Sequence, residues 1–256
     1  MGRMGRTFMR HAVQYQDIEV VAINDPVLKL DDMAAKFKSI PVHGNFEGDV
    51  HAGPSTYSVK ASQEDINWGS VGANYIIESS GFFTTRGQVS SVEDLIIITA
   101  ISNAPMFICG VNLDAYKPEY TVISSASSTT NCLAPIASIR AVDITDNKSL
   151  TNTIIPTYTE AAEVVGKIIP SLDDRFTCVI ILFRSVGLAL NVFVVVLNFV
   201  FQLEAEEGPL KGILLVPDNI MVSTNLLERT ESTIFDPGVQ FTVFDRSFKL
   251  VAYYGQ

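Results

Sequence analysis

Ser124-Ser125-Ala126-Ser127-Ser128-Thr129-Thr130-Asn131-Cys132-Leu133-Ala134-Pro135 is the stretch on which the reading of this chain turns. Small and hydroxylated residues run from Ser124 to Thr130, and the segment becomes apolar after Asn131. The preceding run, Tyr120–Ile123, reads as a strand, and the following one, through Ile136–Ala141, as a helix. A strand that feeds a helix through a polar turn aims backbone N–H groups and hydroxyls at one point. Such a point suits an oxyanion or a phosphate.

Upstream, Gly2-Arg3-Met4-Gly5 opens into Arg6–Gln14, which predicts a short helix. Ile18–Ile23 predicts a buried strand ending at Asn24-Asp25-Pro26. Asp25 follows Gly5 by twenty residues, the offset at which a Rossmann unit places the acid that holds an adenosine ribose. The full fingerprint also needs a preceding strand and a first glycine. Both are expected to be missing, because the chain opens at what would be the second glycine. Taken alone, a capped helix followed by a strand is the plainer reading of this region. Met33–Lys38 then reads as a helix, and Tyr75–Glu78 and Leu95–Thr99 as strands. Strands alternating with helices as far as residue 127 imply a parallel, doubly wound sheet.

The chain's 256 residues are enough for one large or two modest domains. With 47% hydrophobic and 18% charged residues, the composition is that of a globular protein. A net charge of −10 argues against a nucleic-acid surface, which needs clustered Lys and Arg. Cys109, Cys132 and Cys178 show no metal or disulfide spacing, so no metal and a reducing, cytoplasmic setting are expected. The opening residues lack the apolar core of a signal peptide. Ser185–Phe201 carries no charge over 17 residues, short of the roughly 20 needed to span a bilayer. Its Gly187, Asn191, Asn198 and β-branched centre read as buried strands, and no membrane span is expected.

The opening stretch closely resembles the active-site segment of the glyceraldehyde-3-phosphate dehydrogenase family, Ser-Asn-Ala-Ser-Cys-Thr-Thr-Asn-Cys-Leu-Ala-Pro. The resemblance recurs in order along the chain. Thr7–Val27 with its Val-Ala-Ile-Asn-Asp-Pro is similar to the family's first helix and second strand. His43–Gly48 resembles its Thr-His-Gly-x-Phe-x-Gly turn, and Glu78 with Ser79–Thr85 the family's Glu-Ser-Thr-Gly-x-Phe-Thr-Thr, a loop that lies along the dinucleotide. Ala104–Phe107, Gly110–Asn112, Leu150–Pro156, Val164–Pro170, Glu207–Leu214 and Ser232–Asp236 match further blocks. Two domains follow from the resemblance. Residues 1–127 would form an incomplete Rossmann-type NAD-binding domain without its first strand. Residues 128–256 would form an α+β catalytic-type domain with an antiparallel or mixed sheet, internally deleted and without the C-terminal helix.

The resemblance implies covalent aldehyde oxidation: a cysteine thiolate adds to the carbonyl of glyceraldehyde 3-phosphate, hydride leaves to NAD, and phosphate cleaves the thioester. Ser128 stands where that cysteine belongs. An alcohol is scarcely ionised at neutral pH, whereas cysteine is already a few per cent thiolate. Ser128 reads either as a crippled, esterase-like nucleophile or as a hydroxyl capping a helix that begins near Thr129, and the cap is the preferred reading. Cys132, one turn on, reads as a buried structural thiol. The family's Thr-Val-His segment, whose histidine is the general base, has no counterpart between Ala141 and Leu150. His11, His43 and His51 all lie in the N-terminal half and read as surface or core-edge residues.

By the same resemblance, Ser127, Thr129, Thr159 and Arg184 occupy phosphate-subsite positions. Glu160 beside Thr159 places a carboxylate where an anion would dock, and like charges about 4 Å apart repel by about 4 kcal/mol at an effective dielectric of 20. Gly2, Arg3, Met4 and Gly5 would flank the NAD pyrophosphate, Asp25 the ribose, and Thr99 and Gln256 the nicotinamide side. Three functional readings stay open. The chain is an impaired oxidative dehydrogenase acting on glyceraldehyde 3-phosphate and phosphate, an NAD-binding or subunit-association module for homo- or hetero-oligomers of the family, or the product of a degenerate gene copy, with NAD binding weakened or lost.

Overall fold

A computed structural model describes residues 2–40, 44–50, 66–89, 95–141, 160–172, 177–183, 188–195, 205, 207–217, 229–236, 241–244 and 247–255. The chain falls into two compact units. One is Met1–Met106 with Lys117–Ser125, and the other is Phe107–Tyr116 with Ala126–Gln256.

The first unit opens with α1 (Arg3–Tyr15) and α2 (Leu30–Lys38), followed by the short pair β1 (Ser39–Ile40) and β2 (Gly44–Asn45). In α2, Asp31 and Asp32 sit in the first turn and Lys36 and Lys38 in the last, so both ends complement the helix dipole. Met33 and Phe37, four residues apart, are its buried face. Arg10 of α1 ties these pieces together. Its guanidinium lies over the rings of Phe37 and Phe46 and donates to the carbonyls of Phe37 (2.7 Å), Lys38 (3.1 Å) and Gly44 (3.1 Å).

The sheet of this unit consists of β3 (Tyr75–Glu78), β4 (Leu95–Ile98) and β5 (Val122–Ser124), all parallel, in that order. A four-residue helix α3 (Arg86–Val89) precedes β4. Isoleucines supply the buried positions, as parallel strands covered on their faces require. Ile76, Ile96, Ile98, Val122 and Val89 form one cluster, with Trp68 and Phe83 packed against it.

Two expectations are corrected here. The first helix starts at Arg3, three residues before the expected Arg6. Ile18–Ile23 is not a buried strand: it pairs with no strand among the described residues, and Ile18, Val20, Val21 and Ile23 are 37–49% exposed. Apolar, β-branched composition makes a strand only where a ladder partner is beside it, and composition alone cannot report that partner.

The second unit carries α4 (Ser128–Ala141), α5 (Glu160–Ile168) and the strands β6 (Thr177–Phe183), β7 (Leu188–Val195), β8 (Leu214–Leu215), β9 (Thr233–Phe235), β10 (Phe241–Phe244) and β11 (Ser247–Gly255). These strands form a six-stranded mixed sheet of order β6-β7-β11-β9-β8, with β10 on β11. The β8–β9 pair is parallel and the other pairs antiparallel. The uncharged run predicted to be strand does contain β7. Among the described residues no helix is long and apolar enough to cross a membrane. Helix α4 packs on α5 and against β9 and β11. Its Cys132, Leu133, Ala134, Ile136 and Ala137 are fully buried.

Pro135 sits inside α4 and cannot donate to the carbonyl of Asn131. The hydroxyl of Thr233, itself fully buried on β9, covers this gap. It donates to the carbonyl of Cys132 at 2.9 Å and to that of Asn131 at 3.3 Å. Thr233→Val keeps the shape and removes the donor. A loss of about 1–2 kcal/mol is expected, read as a melting temperature lower by a few degrees.

Candidate functional site

The turn between β5 and α4 is built on Ala126, whose φ of 55° is left-handed and whose side chain is 2% exposed. A β-carbon in this conformation costs about 1–2 kcal/mol. Ala126→Gly removes that cost and adds about 0.4–1 kcal/mol of unfolded-chain entropy. The variant is expected to melt at the same temperature as the parent or a few degrees higher, by calorimetry.

The strained turn delivers Ser127 as the cap of α4. Its Oγ accepts the N–H of Thr130 at 3.1 Å and shares a hydrogen bond with Thr130 Oγ1 at 2.8 Å. Its carbonyl accepts the Asn131 N–H and the Asn131 side-chain amide, both at 2.9 Å. The expectation that Ser128 caps the helix is therefore corrected: the cap is one residue earlier. Ser128 is the first helical residue, exposed, and its hydroxyl makes no hydrogen bond among the described residues. The N–H groups of Ser128 and Thr129 have no acceptor within the helix and point at whatever lies off its end. Thr129 is held from below, its hydroxyl sharing a 2.7 Å hydrogen bond with that of Tyr254 on β11. Cys132 is buried, as expected, with its thiol 4.0 Å from the Tyr253 carbonyl.

Beside Tyr254, the Tyr253 hydroxyl donates to Asp236. Burial, then the Asp236 charge and this hydrogen bond raise its pKa above the ordinary 10.0. A group whose pKa is raised on folding contributes stability that is complete below the unfolded value and lost as pH climbs through the folded one. Stability is therefore expected to fall above about pH 10, and Tyr253→Phe to flatten that alkaline limb in a series of melts.

In the first unit, two of the other candidates, Gly2 and Thr99, lie at the carboxyl ends of β3 and β4, where parallel sheets bind their ligands. Gly2 is the cap residue of α1 and offers no side-chain hydrogen bond, and no acid sits in the first turn. Arg3, Met4 and Gly5 form that turn. The Arg3 guanidinium has two N–H-bearing nitrogens buried without a partner among the described residues. Desolvation, then the neighbouring Arg6 charge, lower its pKa. An uncapped helix N-terminus with an unpartnered arginine is a donor set that lacks an anion. A β-carbon placed on Gly2 would stand 3.6 Å from the Ser79 carbonyl oxygen, so the helix start lies against the loop leaving β3. Thr99 follows β4 and gives both its N–H (2.9 Å) and its hydroxyl (3.1 Å) to the Glu78 carbonyl. Asp25 is engaged locally, its Oδ1 accepting the N–H groups of Val27 and Leu28 at 2.9 Å each.

Thr159, Arg184 and Gln256 lie outside the described residues, as do His43 and His51. Glu160 opens α5 and is exposed. His11 is exposed on α1, its ring stacked on Tyr15. Sequence reasoning missed the roles of Tyr254 and Thr233, and took Glu78 only as a strand end and family-motif position. Tyr254 and Thr233 act on α4 from more than a hundred residues away, and no local pattern marks such a pairing.

Residues 1–86 match the family model for the glyceraldehyde 3-phosphate dehydrogenase NAD binding domain, and residues 138–256 that for its C-terminal domain. Among curated proteins, the chain is 38% identical over 305 residues to glyceraldehyde-3-phosphate dehydrogenase of Schizophyllum commune, covering 99% of this chain and 90% of the relative. It is 36% identical to glyceraldehyde-3-phosphate dehydrogenase 2 of Agaricus bisporus, over 99% and 90% of the two chains. It is also 36% identical to glyceraldehyde-3-phosphate dehydrogenase 2 of Drosophila melanogaster, over 99% and 91%.

Proposed function

The chain belongs to the glyceraldehyde-3-phosphate dehydrogenase family, and on that premise we propose that it is a dinucleotide-binding member in which the oxidative reaction is absent or strongly impaired. The observation that carries this reading is Ser128 at the first position of α4: an exposed alcohol, with no hydrogen-bonded base among the described residues and no histidine after His51 in the sequence. An alcohol becomes a nucleophile at neutral pH only with a base in hydrogen-bond reach. The alignment with the Schizophyllum commune relative spans 305 residues for a chain of 256, so stretches of that relative have no counterpart here; the segment between Ala141 and Leu150 is the proposed place of the one that would carry the base.

NAD fits the residues present in the first unit. The uncapped start of α1 and the unpartnered Arg3 nitrogens suit a pyrophosphate, and Thr99 borders the same strand ends. NAD supplies a hydride acceptor when bound. Gly2, Arg3, Met4, Gly5, Asp25 and Thr99 are the residues proposed to hold it, with Gln256 on the nicotinamide side. Ser127, Thr129, Thr159 and Arg184 are the proposed phosphate positions, for glyceraldehyde 3-phosphate or inorganic phosphate. Saturation with NAD at about a hundred times its Kd stabilises a binder by about 2.7 kcal/mol, a melting shift of roughly 5–10 °C for a chain this size. No shift at any NAD concentration would remove the binding half of the proposal.

A second reading, subunit association with family members, is favoured by one observation. Val13, Tyr15, Ile18, Val21, Ile23 and Val27 are all exposed on or just after α1, Val27 at 77%. Apolar exposure at several positions close in sequence suits an association surface. Light scattering of the chain alone and mixed with an active relative reads the assembly directly.

A further inference from the structure

Glu78 is the last residue of β3 and is 5% exposed. An acid is seldom so buried unless its oxygens are occupied. One carboxyl oxygen accepts the backbone N–H of Ser80 at 2.6 Å and also the Ser80 hydroxyl. The Ser80 Oγ in turn accepts the N–H of Phe82 at 3.0 Å. A single side chain thereby sets the path of the loop leaving β3 across three residues, and Phe83 beyond it is packed into the core cluster. The Glu78 carbonyl meanwhile holds Thr99 through two donors. Between these two roles lies the Ser79 carbonyl, against the start of α1 at Gly2.

Three candidate elements of the dinucleotide site, the start of α1, the loop after β3 and Thr99, are thus linked through one residue. We infer that Glu78 is a positioning residue for that site: its carboxylate fixes the Ser79–Phe83 loop beside the α1 N-terminus and so sets the affinity for a ligand bearing a diphosphate. The inference rests on the dinucleotide reading above. Glu78 itself touches no ligand in this account and acts through Ser80. A shared carboxylate acceptor with two donors is stronger and more directional than a neutral one, which is why glutamine is a poor substitute despite its shape.

The test combines amide hydrogen exchange with NAD titration for the wild type, Glu78→Gln, Ser80→Ala and the double variant. In Glu78→Gln the Ser80 amide is expected to exchange at least about tenfold faster and NAD to bind about tenfold more weakly, while the amides of β4 keep their protection. Ser80→Ala is expected to act in the same direction. The double variant is expected to bind no more weakly than the worse single variant, because both changes break one unit. Unchanged Ser80 exchange in Glu78→Gln overturns the inference, as do equal NAD affinities across the series or losses that simply add. If Glu78→Gln loses β4 protection as well, Ser80→Ala decides by the same criteria. A wild-type chain that takes up no NAD overturns the dinucleotide reading, and this inference with it. That outcome is distinct from failure of the inference alone, in which all four proteins bind NAD equally.

Discussion

Ser128→Cys is expected to leave NADH formation from glyceraldehyde 3-phosphate, NAD and phosphate at least about 10²-fold below that of an active relative. The substitution restores a residue that is partly ionised at neutral pH, and it places a thiol at the first position of α4, where the helix N-terminus favours a thiolate. It does not restore a general base. General acid–base catalysis contributes typically about 10²–10⁴-fold, and all three histidines of the chain precede residue 52. The variant is therefore expected to gain thiol reactivity without gaining turnover. Faster labelling by a thiol reagent, beside a near-flat NADH trace, is the signature. Recovery of turnover to within a few fold of an active relative would show that a base is present after all.

Tyr254→Ala is expected to lower stability by about 3–5 kcal/mol, the range for truncating a large buried aromatic. Tyr254 is 1% exposed and among the largest fully buried side chains of the molecule. Its hydroxyl also holds that of Thr129 at 2.7 Å, so the loss falls on the first turn of α4 as well as on the core. For a chain of this size the melting temperature should fall by roughly 10 °C, a large share of the typical 5–15 kcal/mol of net stability. Tyr254→Phe separates the two contributions. It keeps the ring and removes one hydrogen bond, and should cost about 1 kcal/mol. Equal effects for the two substitutions would mean that the hydroxyl, and not the ring, carries the contact.

What could be read from the sequence was whatever local pattern determines. Isoleucine-rich runs gave β3 and β4 to within a residue, because short β-branched apolar runs bounded by turn residues favour strands. The helix through Pro135 was legible from its apolar run, although a proline inside it breaks the usual rule. A contact that supports it there, Thr233 donating to the carbonyls of Cys132 and Asn131, joins elements a hundred residues apart. Ile18–Ile23 was misread for the opposite reason: its composition suits a strand, but pairing is a property of its neighbours.

At the candidate site the residue types and their order identified the turn, while the assignment of the cap slipped by one residue. Ser127 and Ser128 are equally good caps by type, and the left-handed Ala126 decides between them by rotating Ser127 into place. Glu78 matches the first residue of the family's Glu-Ser-Thr-Gly-x-Phe-Thr-Thr loop, but its role could not be read from sequence, since a glutamate closing a strand is ordinarily a solvated end. Its burial and its hold on Ser80 exist only in the folded arrangement.

The most direct measurement is NADH formation by the wild-type chain, purified and shown by its melting shift to bind NAD, with saturating glyceraldehyde 3-phosphate and phosphate, beside Ser128→Ala. Both proteins are expected to give the same trace, at least about 10⁴-fold below an active relative, since nucleophile and base act as one unit whose loss is not additive. Robust NADH formation by the wild type that disappears in Ser128→Ala would contradict the account, because it would make Ser128 a working nucleophile.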